Sequence, residues 1–599
     1  MTEYFIKKLN EVQTDSEQLS AYDAQGNTVV IAGPGSGKTT VLTLKVVRLL
    51  GEKISPPRGL ACLTYSTEAA REFKDRLSKL GLKKRNNVFL GTVHSFCLAE
   101  ILIPFAHLYP QYHIPNPIKI ISEKDKKKLF ESIPNKGQCN ITDMDKERTR
   151  DIQGISRVSI ESYDVALMAA VEFEDALCKD GWLDFISMVK LAVKLIQNED
   201  YVRKSLEARF PWIVVDEYQD LGKPLHEMIL SLLALTTIKI FAVGDGDQSI
   251  YDFQGAAPDY LTELSSQDGI KCIRLKNNYR SSQDIVNASE HILEVQRGYI
   301  ASGQLSDYNA MLEFYECESG MNEQYSVAIE QINRFYKMGI PYHEMAVLVG
   351  YNNHVNELLT ECDVRNIPAY IARHEFRNTD VIHWLQNCAR WVEDKTTVSF
   401  DDICLSWRNF LLLNNDILDD SEYLNIKKTI LHILTTSKSH ESNLSEWLTY
   451  VFYEFNFSKV FSGSERYPDE IENLEKLLQT ANESQSVPTI AFLSRLGVPE
   501  NQVMLSTRHS AKGLEFDVVI ILGMERDSFP SYYCTTQRQF EEARRLCFVA
   551  VSRARKACLL VRSKQLQNKY GKWFAKEPSP FWITLYDYVN NLKLNSSQN

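Results

Sequence analysis

The chain has 599 residues, of which 44% are hydrophobic and 24% charged, with a formal net charge of -11. That length exceeds one hydrophobic core, the composition excludes a disordered or fibrous protein, and the acidic balance excludes a generally basic nucleic-acid coat while leaving room for a local basic channel. No apolar run reaches the ~20 residues of a membrane span, the start Met1-Thr-Glu-Tyr-Phe lacks a signal peptide's apolar stretch, and the twelve cysteines, none spaced Cys-x-x-Cys, point to a reducing cytoplasm.

The first chemically readable element is the apolar run Thr28-Val-Val-Ile31, a strand. It runs into Ala32-Gly-Pro-Gly-Ser-Gly-Lys-Thr-Thr40, and a helix is predicted over Val41 to Leu50. Gly33, Gly35, Ser36 and Gly37 let successive backbone N–H groups turn toward one point. The helix start at Lys38, Thr39 and Thr40 adds the positive end of its dipole. This is a phosphate cradle. Lys38 is placed to reach the β- and γ-phosphates of a nucleoside triphosphate, and the Thr39 hydroxyl to hold Mg²⁺. Ala32 stands where the strict pattern has glycine.

Farther on, Ile213-Val-Val-Asp-Glu-Tyr-Gln-Asp220 is an apolar strand ending in adjacent carboxylates. A strand end beside a phosphate loop is where a doubly wound sheet places its ligand chemistry. Asp216 reads as the Mg²⁺ ligand and Glu217 as the group that polarises the attacking water. A third strand, within Ile238-Lys-Ile-Phe-Ala-Val-Gly-Asp-Gly-Asp-Gln-Ser-Ile-Tyr251, again ends in polar groups. There Gln248 is placed to sense the γ-phosphate. Three such strands with helical stretches between them predict a parallel α/β sheet.

The motif order resembles that of the superfamily 1 helicases of the UvrD/Rep/PcrA type. Gln18 resembles the glutamine that reads adenine. Leu63-Thr-Tyr-Ser-Thr-Glu-Ala-Ala70 is similar to the segment that touches the DNA backbone, and Gly91-Thr-Val-His-Ser-Phe-Cys97 to a second such segment. Leu275-Lys-Asn-Asn-Tyr-Arg-Ser281, Thr507-Arg-His-Ser-Ala-Lys-Gly-Leu-Glu-Phe516 and Arg544-Arg-Leu-Cys-Phe-Val-Ala-Val-Ser-Arg-Ala554 match the later motifs. By that resemblance Tyr279 stacks on adenine, Arg280 contacts the γ-phosphate, Glu515 faces the ribose and Arg553 takes the arginine-finger position. Thr64, His94, Phe253 and His509 become the DNA contacts, with a structural hydrogen-bond role as the alternative for the two histidines. The chain departs from the family at Gly246, Gln254, Gly350 and Thr67-Glu68, positions near motor coupling or DNA contact.

The resemblance implies an α/β protein of two RecA-like parallel-sheet motor domains, each with a mainly helical insertion. The first motor is expected at 1–95 and 205–275 with its insertion at 96–204. The second is expected at 276–375 and 500–599 with its insertion at 376–499. The charged run Glu123-Lys-Asp-Lys-Lys-Lys128 reads as a solvated helix face. Leu424, Ile426, Ile430, Leu431, Ile433 and Leu434 recur at helical spacing, and Trp447, Leu448, Val451, Phe452 and Phe455 read as core. Leu183-Asp-Phe185 resembles a family motif in which Ser187 replaces an aspartate. With about 45 residues after Arg553, no nuclease module is expected there.

The expected function is an ATP- and Mg²⁺-dependent 3′-to-5′ DNA helicase or translocase acting on single-stranded DNA and duplex junctions in the cytoplasm. The alternative is a DNA-sensing regulatory ATPase partnering a nuclease in an anti-phage complex of the Gabija type. A GTP switch fits less well, since Gln18 suits adenine and no Asn-Lys-x-Asp motif is present.

Overall fold

The computed structural model describes residues 2–596 except 83–86, 150–162, 253–254, 372–375, 413–419, 463, 465–466, 468, 484–488, 495–500 and 569. Phe253 and Gln254 therefore lie outside the described residues. The first sheet comprises β1 (Thr28–Ala32), β2 (Leu60–Thr64), β3 (Val88–Thr92), β4 (Trp212–Val215), β5 (Lys239–Gly244) and β6 (Lys271–Leu275). Its order is β3-β2-β4-β5-β1-β6, all parallel. Because β4, β5 and β1 are neighbours, the loops that follow them emerge side by side at one edge. β7 (Asn277–Asn278) and β8 (Ile300–Ala301) form a short parallel pair beyond it.

The second sheet comprises β9 (Met311–Cys317), β10 (Met345–Val349), β11 (Ala369–Ile371), β12 (Val503–Thr507), β13 (Phe516–Ile521) and β14 (Ala554–Ser563). Its order is β11-β12-β10-β13-β14-β9, again all parallel. The α/β, two-sheet fold expected from the motifs is the one present.

Both sheets are covered on both faces, which is why their strands read as continuous apolar runs. In β1, Val29 enters one core and Val30 the other. Leu63 and Ile213 join Val29's side, while Cys62 and Val214 join Val30's. The second sheet repeats the pattern, with Ala346 and Leu348 facing one core and Met345 and Val347 the opposite one.

Two helical units have cores of their own. Between β3 and β4, helices Glu123–Glu131, Ile141–Arg148 and Tyr163–Lys179 pack around Phe130, Met144, Phe173 and Leu177. The charged run there is only partly a solvated face. Lys126 is buried, and its Nζ lies 2.8 Å from Asp145 and 3.3 Å from Asp184. Asp184 also takes a two-pronged contact from Arg148, at 2.5 and 2.7 Å. The same aspartate caps helix Phe185–Asn198, and Ser187 completes a reciprocal capping box. So the serine that departs from the family motif has a local structural task.

Between β11 and β12, the helices from Asp380–Glu393 to Ile490–Ser494 enclose an aromatic core. Trp384 and Trp407 meet at a tilt, ring centroids 4.7 Å apart, with Phe410, Phe455 and Phe457 around them. Trp447, Leu448, Val451 and Phe455 are buried, and Phe452 packs half-buried against the cluster. The helix expected from the spacing of Leu424 to Leu434 is present as Asp420–Ser437; of those residues Ile430, Ile433 and Leu434 are buried, while Leu424 and Leu431 face outward. Helical spacing defines a stripe, but a narrow contact buries only its centre. Among the described residues no helix is long and apolar enough to cross a membrane.

Candidate functional site

The loop after β1 carries the phosphate cradle. Gly35 and Gly37 have φ of 67° and 78°, the left-handed region that glycine enters without cost. Gly37 is the residue from which helix Lys38–Arg48 starts. Gln18 is buried, and its Nε2 donates to Ser36 O at 2.9 Å, bracing the loop from outside. Lys38, Thr39 and Thr40 are half-buried at the helix start.

Asp216 and Glu217 follow β4 directly. Glu217 holds φ at 49°, rare for a residue with a side chain and a sign of local strain. Its carboxylate lies 3.2 Å from Lys38 Nζ and also accepts from Gln219 Nε2. Burial pushes the Asp216 carboxyl up to about 7, helped by the Glu217 charge. Burial would raise Glu217 too, but Lys38 and Lys512 hold it down to about 2. For Lys38, burial is outweighed by Glu217, Asp245 and Asp216, so its ammonium is favoured.

The network continues into the second sheet's domain. Gln219 Oε1 accepts from Asp245 N at 2.8 Å, and Asp245 Oδ2 accepts from Gln248 Nε2 at 2.6 Å. Gln248 Oε1 then accepts from Arg553 Nη2 at 3.1 Å. Arg553 is buried and also bonds the carbonyls of Val549 and Leu514. Burial and the nearby Arg280 lower its pKa to about 9, which still leaves it charged at neutral pH. Lys512 makes a second crossing, donating to both Asp220 oxygens at 2.7 and 2.8 Å and to Gln248 O at 2.7 Å.

The segment around β7 docks on the phosphate loop itself. Asn278 Nδ2 donates to Pro34 O at 2.9 Å, and Tyr279 N to Gly35 O at 2.9 Å. The Tyr279 ring is 40% exposed with its hydroxyl on Asp15 at 2.6 Å, so a face remains open beside Gln18's helix. Arg280 Nε pairs with Glu515 at 2.6 Å, and its buried Nη1 has no hydrogen-bond partner. Glu515 is thus committed to Arg280 and lies 3.8 Å from Arg555.

A nucleotide fits this arrangement. The orphaned Arg280 Nη1 needs an acceptor, and the glycines leave no Cβ in the cradle: one built at Gly37 would meet Gln18 Nε2 at 2.8 Å. Among the described residues no group of three or more His, Cys, Asp or Glu could hold a metal ion. Mg²⁺ shared with phosphate oxygens needs no such cage; Thr39 and Asp216 are the residues that would hold it.

The residues assigned to DNA are more scattered. Thr64 is buried, and its hydroxyl donates to Ser66 O at 3.0 Å, so it shapes its own loop. His94 is half-buried, its ring edge-on to the exposed Phe185 at 5.4 Å, and burial lowers its pKa to about 4. His509 sits half-buried in the turn after β12. Tyr65 and Tyr251 stack near parallel at 6.3 Å, with Lys512 Nζ over the Tyr251 ring at 5.0 Å. The glycine at 350 leaves room for a guanidinium: its Cβ would lie 3.3 Å from Arg508 Nη1.

Asp220, Gln219, Asn278 and Lys512 carry the network, yet sequence reading did not single them out. Their one sequence signal was a polar side chain inside or beside a motif at the end of a buried strand.

A sequence model of the UvrD/REP helicase N-terminal domain matches residues 13–268. The UvrD-like helicase C-terminal domain matches 273–386 and 419–565. The chain belongs to the UvrD-like helicases, which are ATP-driven DNA helicases. It is similar to the ATP-dependent DNA helicase PcrA of Staphylococcus aureus, 27% identical over 640 aligned residues that cover 96% of this chain and 86% of the relative. The PcrA of Staphylococcus epidermidis is 26% identical over 647, with the same coverage. In this helicase the matched halves divide at 268–273, at the start of β6, the edge strand of the first sheet.

Proposed function

We propose that the cleft hydrolyses ATP with Mg²⁺ and drives 3′-to-5′ movement along single-stranded DNA. The observation that carries this is the unbroken polar chain from Lys38 through Glu217, Gln219, Asp245 and Gln248 to Arg553, which joins the phosphate loop to the other domain. In this reading Lys38, with the backbone of Gly33 to Thr40, holds the phosphates. Thr39 and Asp216 hold Mg²⁺, which offsets phosphate charge. Glu217, ionised by its cationic neighbours, orients the attacking water. Gln18 and Tyr279 hold adenine. Arg280 and Arg553 offset charge developing on the γ-phosphate, a contribution of ~10³–10⁵ in rate for one arginine finger. Hydrolysis removes their anionic partner and loosens the closed state. The polarity and the single-strand track follow the family resemblance, as do the roles of His94, Phe253 and His509.

By the family resemblance Gly246, Gln254 and Gly350 remove side chains near motor coupling, so we expect translocation with weak unwinding by the chain alone. A nuclease partner of the anti-phage kind would then read the motor's state. The test is ATPase activity with and without single-stranded DNA, then strand displacement from a 3′- or a 5′-tailed duplex at low salt. Stimulated ATPase with slow displacement from the 3′ tail is the expected result. Displacement only from the 5′ tail, or ATPase indifferent to DNA, overturns the motor reading. Lys38→Ala should abolish turnover with unchanged melting; normal turnover would reject the phosphate assignment.

A further inference from the structure

Tyr299 lies outside every motif named above, in the segment between helix Gln283–Leu293 and β9. Three contacts fix it. β8 pairs with β7, Asn277 opposite Ile300, so Tyr299 immediately precedes the ladder leading to Arg280. Its backbone N donates to Glu290 at 2.8 Å. Two residues earlier, Arg297 grips Asp247 with Nε and Nη2, both at 2.7 Å. Asp247 belongs to the loop after β5, so this strap reaches from one domain to the other.

The Tyr299 ring rests on the phosphate loop. A Cβ built on Gly33 would fall 2.5 Å from ring atoms Cε1 and Cζ and 3.0 Å from the hydroxyl. Gly33 has no positive φ, so the tyrosine, and not the backbone, is what excludes a side chain there. The hydroxyl has no hydrogen-bond partner among the described residues. Burial, Asp245 and Asp247 all push its pKa above the ordinary phenol value, so it stays protonated and able to donate. A protonated hydroxyl at the rim of a phosphate cradle, with no group among the described residues already claiming it, is free to donate to an acceptor there. The terminal phosphate of a nucleoside triphosphate supplies one.

We propose that Tyr299 is a phosphate-contacting residue, its hydroxyl donating to the terminal phosphate while its ring packs on Gly33. The assignment rests on the nucleotide reading of the cleft. It makes Tyr299 a third group, with Arg280 and Arg553, through which the second domain detects triphosphate over diphosphate.

The test uses the full chain with Tyr299→Phe, which keeps the ring and removes the hydroxyl. Turnover under saturating single-stranded DNA is measured beside equilibrium binding of fluorescent ADP and of a non-hydrolysable ATP analogue. Losing a hydrogen bond to a charged group should lower kcat about tenfold or more and weaken the analogue, leaving ADP unchanged. Wild-type kcat and analogue affinity, or equal loss for ADP and analogue, would overturn the proposal. Gly33→Ala supplies a second arm, because its methyl must displace Tyr299. It should cost turnover in the wild type and add little in a Tyr299→Ala background; additive losses would count against the contact. Lys38→Ala run in parallel separates the two levels. If it retains hydrolysis, the nucleotide reading fails; if it loses hydrolysis while Tyr299→Phe is silent, only the tyrosine assignment fails.

Discussion

The two sheet domains meet through buried charge at the cleft, whereas the helical unit between β11 and β12 touches the first domain and the other helical unit through exposed polar contacts. At the cleft, Asp220 and Arg553 are buried and Lys512 is half-buried. Farther out, Arg71 reaches Asp380 at 2.9 Å, but that aspartate is largely exposed. Glu123 N donates to Asp469 at 3.1 Å, also at an exposed position. An exposed pair is worth roughly 0–1 kcal/mol, while removing one partner of a buried pair costs about 3–5 kcal/mol. The cleft contacts are therefore costly to break one partner at a time, and the outer contacts are not.

The sharpest way to break this contrast is at Arg553. Arg553→Ala should slow DNA-stimulated ATPase by about 10³-fold or more, with a modest loss of ATP affinity. Steady-state kinetics checks it, and Arg553→Lys, which keeps the charge, guards against a simple packing loss. A loss confined to KM would make the arginine a ground-state binder.

The helical unit between β11 and β12 should behave in the opposite way. Trp407→Ala removes the centre of its aromatic core and should destabilise that unit by about 3–5 kcal/mol. Denaturant melts would show this, while ATPase at low temperature stays close to wild type. A matching collapse of ATPase would show that the unit's core and the cleft are coupled.

The unit between β3 and β4 adds a buried charge cluster to its apolar core. Burial would raise Asp184, but Arg148 and Lys126 hold it well below the usual carboxylate range. A lowered acid pKa contributes stability above the unfolded value of 3.8 and loses it as pH falls through the folded value. Asp184→Asn should cost about 3 kcal/mol at pH 7 and flatten the acid limb of stability against pH. An unchanged acid limb would place the linkage elsewhere. The smallest effect is expected at the outer contact, where Arg71→Ala should change stability by less than about 1 kcal/mol. A larger loss would mean that Asp380 belongs to a buried network after all.

What could be read in advance follows from range along the chain. The phosphate loop was legible because glycine freedom, a helix start and Lys38 are consecutive, and local geometry fixes their mutual placement. Asp216 and Glu217 were legible as a strand end. Lys512 was not, because its partner Asp220 lies 292 positions away. Tyr299 was not, because an isolated tyrosine carries no pattern; only a close approach to Gly33 marks it. The burial of Lys126 was invisible for a related reason, since a charged run reads as solvated until an aspartate from another helix faces it.

The sequence by itself determined the alternation of buried strands and helices, the two parallel sheets, the cradle at Gly33 to Thr40 and the family. These rest on patterns a few residues wide, set by backbone sterics and by which side chains water rejects. Only the tertiary structure decided which polar ends met: Glu217 with Gln219, Lys512 with Asp220, Arg280 with Glu515 and Tyr299 with Gly33. Such meetings depend on sheet order, which puts β1, β4 and β5 side by side, and on how the two sheet domains dock. Neither is encoded in any short stretch, because each is a compromise among all the buried surfaces at once.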